Sequence, residues 1–185
     1  GLILPDVEVS TTPIRFAVSA PAGSTLPGDA MEFAISPDGR TLVFVAGDSS
    51  GTGHLWLRPL DAIAPRLIAG TDNPALPFWS PDGRWIGFFA DGKLKKIPAA
   101  EGNAEVLADA NNGRGGSWNR DGVVVFAPAG AGPLYMIEHP GDPPRVVTAL
   151  DSTLRQNGHR YPCFLPDGKH FLYSALPPRQ GRYDV

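Results

Sequence analysis

The chain has 185 residues, enough to bury a core, and its 16 Lys and Arg against 19 Asp and Glu give a net charge of −3. No basic cluster stands out, which argues against a nucleic-acid partner, and the single cysteine, Cys163, excludes an intramolecular disulfide or a cysteine-built zinc site. The 22 Gly and 20 Pro lie scattered among short apolar runs, a pattern of short strands with demanding turns rather than of helices or disorder.

Residues 1–30 read as an N-terminal arm with one strand, from Ile14 to Val18, which alternates apolar and polar residues and could close a ring. From residue 31 onward the predicted strands come in fours. Residues 31–35, 41–46, 54–58 and 66–69 form the first set, with a flexible loop over 47–53. Residues 76–79, 85–90, 93–97 and 105–107 form the second, in which Asp91-Gly92 is a two-residue hairpin turn. The third set is 116–118, 123–127, 134–138 and 145–148. Residues 161–165 and 170–175 begin a fourth set, and Tyr183-Asp184-Val185 starts its third strand. No stretch has helical periodicity, no apolar run approaches the ~20 residues of a membrane span, and no basic-then-apolar leader opens the sequence.

One turn recurs between the first and second strands of each set. Its copies are Ser36-Pro37-Asp38-Gly39-Arg40, Ser80-Pro81-Asp82-Gly83-Arg84, Asn119-Arg120-Asp121-Gly122 and Leu165-Pro166-Asp167-Gly168-Lys169. Proline presets φ for the second turn position, aspartate suits the third, and glycine accepts the left-handed conformation that follows. Gly39, Gly83, Gly122 and Gly168 are therefore expected at positive φ. A strand-rich recurrence of roughly 40–45 residues marks propeller blades. The expected fold class is all-β, a partial β-propeller of three complete four-stranded blades (31–70, 76–108 and 115–149) and an incomplete fourth (160–185). Such an arc should leave the outer faces of its end blades open to self-association.

The aromatic-Ser-Pro-Asp-Gly-Arg turn followed by an apolar strand resembles the TolB-type, WD-like propeller repeat. Pro77 to Arg84, Phe88 to Lys96, Gly116 to Gly122, His159 to Pro162 and Phe164 to Tyr173 together look like the propeller C-terminal to a membrane anchor in some bacterial serine/threonine protein kinases. That resemblance implies a non-catalytic, extracytoplasmic sensor module, periplasmic or at the cell surface, that binds a protein or a small molecule. Two other classes are the gating propeller of a prolyl-oligopeptidase-like serine hydrolase and a TolB-like protein-interaction scaffold. The chain itself carries no kinase Gly-rich loop, His-Arg-Asp or Asp-Phe-Gly, and no Gly-x-Ser-x-Gly elbow.

The turn aspartates Asp38, Asp82, Asp121 and Asp167 belong to different repeats, too far apart to share a proton or an ion, so they read as structural. His54, His139, His159 and His170 show no paired metal-ligand spacing, and no metal or cofactor is expected. Cys163 is expected as a small buried core residue. Trp79, Trp118, Phe44, Phe88, Phe126, Phe171 and Tyr173 fall at repeated positions and are assigned to the core between blades. The residues that break the repeat lie in the connections entering each first strand. In a propeller these gather at one mouth of the central channel. Asp72, Asn73, Asn111, Asn112, Arg114, Asn157, His159 and Arg160 are the candidate ligand-binding residues there, with Arg114, His159 and Arg160 expected to touch the ligand.

Overall fold

The computed structural model describes residues 17–27 and 32–177. Its strands form antiparallel meanders, one for each predicted repeat. The first blade is β1 (Phe33–Ile35), β2 (Thr41–Gly47), β3 (Gly53–Pro59) and β4 (Arg66–Leu67), hydrogen-bonded in that order. The second is β5 (Ala75–Trp79), β6 (Trp85–Ala90), β7 (Lys93–Pro98) and β8 (Glu105–Asp109). The third is β9 (Gly116–Trp118), β10 (Val124–Phe126), β11 (Tyr135–Ile137) and β12 (Arg145–Val146). The fourth, within the described residues, is the pair β13 (Gly158–Phe164) and β14 (Phe171–Leu176). β13 starts three residues before its predicted position, because Gly158, His159 and Arg160 pair with Leu176, Ala175 and Ser174. The first strands β1, β5, β9 and β13 follow one another side by side, as the inner strands of a propeller do. The expected strand at Tyr183 to Val185 lies outside the described residues, as does most of Ile14 to Val18.

The core fills the spaces between blades and, at Phe44, the space between the first blade and the arm rather than one between two blades. Phe44, Phe88 and Phe126 stand at the same place in β2, β6 and β10, and all are fully buried. Each contributes about 1.5–3 kcal/mol of burial. Val43, Val45 and Leu55 meet Ile86, Phe88 and Ala90 between the first two blades. Phe78 and Phe89 meet Val124 and Phe126 between the next two, and Val125, Ala127 and Leu134 meet Phe164 and Phe171 between the last two. Of the other aromatics assigned to this core, Trp79, Trp118 and Phe171 are half-buried, and Tyr173 is exposed.

Cys163 corrects the sequence reading, because its thiol is exposed. The reason is positional. Phe78, at the equivalent place in β5, is buried because the inner strand of the next blade covers it at Gly116. Among the described residues no blade follows the fourth, so Cys163 and Leu172 have nothing over them. The first blade differs. Its outward face, with Leu42, Phe44 and Ala46, is covered by Val18 and Leu26 of the arm. Thr25 and Gly47 exchange amide–carbonyl bonds of 2.8 and 2.9 Å, and Arg58 Nη1 donates to the Ala17 carbonyl at 2.6 Å. Among the described residues, the expectation of two open end faces therefore fits the fourth blade but not the first.

At the turn rim one bonding scheme repeats. Ser80 Oγ donates to Asp82 Oδ1 at 2.6 Å, the Arg84 amide donates to the same oxygen, and the Trp85 amide donates to Ser80 Oγ. Ser36, Asp38, Arg40 and Thr41 make the same three bonds. Gly39, Gly83, Gly122 and Gly168 have φ of 71°, 69°, 87° and 70°, as the turn requires. Where the sequence departs from the motif, other atoms restore the scheme. Asn119 Oδ1 accepts from the amides of Asp121 and Val123, and its Nδ2 donates to the Gly168 carbonyl of the next blade at 2.8 Å. Beside Leu165, which offers no hydroxyl, Asp167 Oδ1 accepts from the amides of Lys169 and His170 directly.

Candidate functional site

At the opposite end of the inner strands, each connection is tied to a hairpin through a glycine. The Asn73 amide donates to the Gly53 carbonyl, the Ala110 amide to Gly92, and the Gly132 amide to the Asn157 carbonyl. These bonds of 2.8, 2.8 and 2.9 Å hold the mouth connections in place but leave their side chains to differ from blade to blade.

Three of the eight sequence candidates come together. Asn112 Nδ2, Arg160 Nη2 and Arg114 Nε lie 3.2, 3.4 and 3.9 Å from the point where a Cβ on Gly130 would stand. Arg160 donates to the Gly130 carbonyl through Nε at 2.9 Å and through Nη2, and Arg114 Nη1 donates to the Gly113 carbonyl at 3.0 Å. Their backbones are pinned as well. The Asn112 amide donates to Pro128, the Arg114 amide to Ala127, and the Tyr161 amide to the Arg114 carbonyl. Neither arginine forms an ion pair among the described residues. Gly130 was not a sequence candidate. The signal for it was the small-residue run Ala129-Gly130-Ala131-Gly132, where the second blade has a hairpin of only two residues.

The remaining candidates do other work. Asp72 Oδ1 lies 3.3 Å from His54 Nδ1, and Asp48 Oδ2 lies 3.3 Å from His54 Nε2, so this ring stands between two carboxylates. Chiefly the Ser50 hydroxyl, with His54 and backbone amides, holds the Asp48 carboxyl down at about 2. Asn73 Oδ1 accepts from the Gly53 amide, and Asn111 is exposed beside Gly92. Asn157 Oδ1 is buried with no hydrogen-bond partner.

His159, expected on sequence grounds to touch a ligand, is 1% exposed. Thr148 Oγ1 accepts from the Leu134 amide and lies 2.8 Å from His159 Nδ1. Gln156 Oε1 accepts from the Asp151 amide and lies 3.0 Å from His159 Nε2. Gln156 Oε1 can only accept, so the proton sits on Nε2, and Nδ1 takes the Thr148 hydroxyl proton. Tyr173 packs on the ring with centroids 4.5 Å apart. Burial pushes the imidazole below its ordinary 6.5. His159 is thus a brace between the third and fourth blades, with no nitrogen left for a ligand.

The inner strands also share a strained position, three residues before the last residue of β5, β9 and β13. Leu76, Gly115 and Tyr161 occupy it with φ of 50°, 95° and 53°. In β5 and β13 the pairing register shifts there, the signature of a β-bulge. A left-handed Leu or Tyr costs about 1–3 kcal/mol, offset here by the surrounding structure. The amide at each bulge reaches back to the blade before it. Leu76 N donates to Glu32 Oε2 at 2.5 Å and Tyr161 N to the Arg114 carbonyl at 2.8 Å.

Comparison with known proteins agrees with the blade architecture. No family model matches the chain. The uncharacterized protein YidR of Escherichia coli (strain K12) is 31% identical over 97 residues, 51% of this chain and 22% of that protein. The uncharacterized peptidase YuxL of Bacillus subtilis (strain 168) is 28% identical over 144 residues, 76% of this chain and 21% of that protein. The chain thus spans about a fifth of the length of either relative. Among solved structures, a protein assigned as TolB from Agrobacterium tumefaciens superposes with a TM-score of 0.69 at 19% identity, over 85% of this chain and 60% of that one. TolB from Acinetobacter baumannii gives 0.66 at 17% identity, over 82% and 39%. The calcium-binding protein regucalcin from Agrobacterium tumefaciens gives 0.58 at 19%, over 81% and 54%. No cluster of three His, Cys, Asp or Glu side chains suited to a metal occurs among the described residues. The chain has the fold of a β-propeller segment, built of the same kind of blades as TolB.

Proposed function

We propose that this chain is a non-catalytic binding module of a larger protein and that it works through the channel mouth. The observation that carries the reading is the meeting of Asn112, Arg114 and Arg160 around Gly130. Connections from different blades bring donors with no acidic partner among the described residues to one place, whereas the rim turns at the other end spend their polar groups on themselves. The fold it shares with TolB supports a rigid scaffold role of this kind. A photo-crosslinking side chain tests the choice of face. In the whole protein, one placed at Asn111 should capture the partner and one at Pro81 should not. Capture from Pro81 alone would refute the mouth.

A second reading makes the segment the propeller of a serine peptidase, and the similarity to YuxL over 144 residues favours it. A third, the extracytoplasmic sensor of a bacterial serine/threonine kinase, rests on the sequence resemblance. Labelling of the whole protein by a fluorophosphonate, against phosphate transfer from ATP, separates the two. In either case the reaction should persist when Arg114 is changed. The open face of the fourth blade, with Leu172 64% exposed, supports self-association, which sedimentation would detect.

A further inference from the structure

The geometry points to a carboxylate-binding site in the channel mouth, formed by Arg114, Arg160 and Asn112 around Gly130. It rests on the mouth being the working face and adds the chemistry of what is bound there. Two guanidinium groups, each half-buried, stand within 4 Å of one point. Like charges held this close repel, and among the described residues no Asp or Glu offsets them. Both arginines spend donors on backbone carbonyls, Arg160 on Gly130 and Arg114 on Gly113, and neither charge is neutralised. An anion is the missing partner.

The donor set decides which anion. Arg160 spends Nε and an Nη2 hydrogen on the Gly130 carbonyl, and Arg114 spends Nη1 on Gly113. Arg114 Nε and Nη2, Arg160 Nη1 and Asn112 Nδ2 therefore remain to meet a planar oxyanion. A phosphate group would ordinarily also draw on converging backbone amides. Here the amides of Asn112, Arg114 and Tyr161 are already spent on Pro128, Ala127 and Arg114. Side-chain donors, with these three amides spent, suit a singly charged carboxylate. Tyr161, 51% exposed and next in sequence to Arg160, offers an aromatic surface for whatever carries that carboxylate. With no Cβ on Gly130 a ligand can approach these donors across its Cα, whereas a methyl group there would stand 3.2 Å from Asn112 Nδ2 and 3.4 Å from Arg160 Nη2. Both a peptide C-terminus and a small organic acid present this chemistry.

Titration of the 15N-labelled whole protein, followed at the arginine Nε–H resonances, tests the site. The probes are acetate, a short alanine peptide with a free C-terminus, the same peptide as its C-terminal amide, and inorganic phosphate. Acetate and the free peptide should shift Arg114 and Arg160 saturably, and the amide should not. Tighter binding of the free peptide than of acetate identifies a peptide C-terminus, and equal binding identifies a small acid. Arg114→Gln should weaken binding at least tenfold. Gly130→Val keeps both charges but fills the space and should do the same, which covers the case in which the arginine variant fails to fold. Saturation by phosphate alone, or carboxylate binding unchanged in Gly130→Val, overturns the site. A partner that binds at the mouth with neither arginine resonance moving overturns this site but leaves the binding-module reading intact.

Discussion

The two ends of the inner strands show opposite ways of using the same repeat. At the turn rim, each blade solves one local problem with atoms a few residues apart, as when Ser80, Asp82 and Arg84 satisfy one another. At the mouth, the groups that meet come from far along the chain, as Arg160 does on the Gly130 carbonyl. Local satisfaction tolerates substitution, since Asn119 and Asp167 recover the bonds that their turns lack. The mouth has no such redundancy. A surface assembled from several blades can vary without disturbing the scaffold, and that suits it to recognition.

The sharpest way to break this contrast is Gly113→Ala. A Cβ at Gly113 would overlap the Phe89 ring at 2.1 Å, so the mouth connection is seated directly on the core between the second and third blades. The expected loss is about 3 kcal/mol or more by overpacking, read from denaturant midpoints. A loss under about 1 kcal/mol would mean that the connection floats free of the core.

Asn119 is where the rim reaches across blades. Asn119→Ala should cost about 2 kcal/mol, since two turn amides and the Gly168 carbonyl lose their partner at a position 7% exposed. Asn119→Ser restores the motif's hydroxyl and should recover about half of that. Equal losses would show that the bond between blades carries the whole effect.

Acid should separate His159 from the carboxylates. His159 has its folded pKa lowered below 6.5, so the unfolded chain binds its proton first. The stability it contributes is complete above about pH 6.5 and is lost as the pH falls toward its folded value. Asp82, which the Ser80 hydroxyl and then the Arg84 amide and side chain hold at about 2 against an ordinary 3.8, contributes stability above pH 3.8 that is lost as the pH falls through 2. Denaturant midpoints measured against pH should therefore show a His159 phase at higher pH and a carboxylate phase at lower pH, to which Asp48 contributes beside Asp82. The difference between the wild type and His159→Gln should contain the upper phase alone. A difference that is flat from about pH 7 to 5 would remove His159 from the account.

The smallest effect belongs to Arg84→Ala. The Arg84–Asp82 pair is 2.6 Å long but 79% and 44% exposed, so the loss should stay within about 0.5 kcal/mol and shrink with salt. A loss above about 1 kcal/mol would make the rim depend on its charges rather than on its turn geometry.

The blades were legible from the residues alone. Turn chemistry and strand alternation act over a few residues, so four Asp-Gly turns at a steady interval located the strands to within a residue or two, except at the start of β13. Phe88 and Phe126 were legible as core because burial between blades repeats with the repeat, and Phe44 holds the same place with the arm covering it instead of a blade. Which candidates share a site depends on how the blades lie against one another. Arg114 and Arg160 meet at Gly130 because two blades lie side by side, whereas Asp72 is taken up by His54. His159 looked like a ligand contact because it is polar and interrupts the repeat, but the partners that bury it, Thr148 and Tyr173, sit 11 and 14 positions away along the chain. Cys163 reads as core by composition and is exposed by position. Burial is a property of what lies opposite a residue, and local sequence does not encode that.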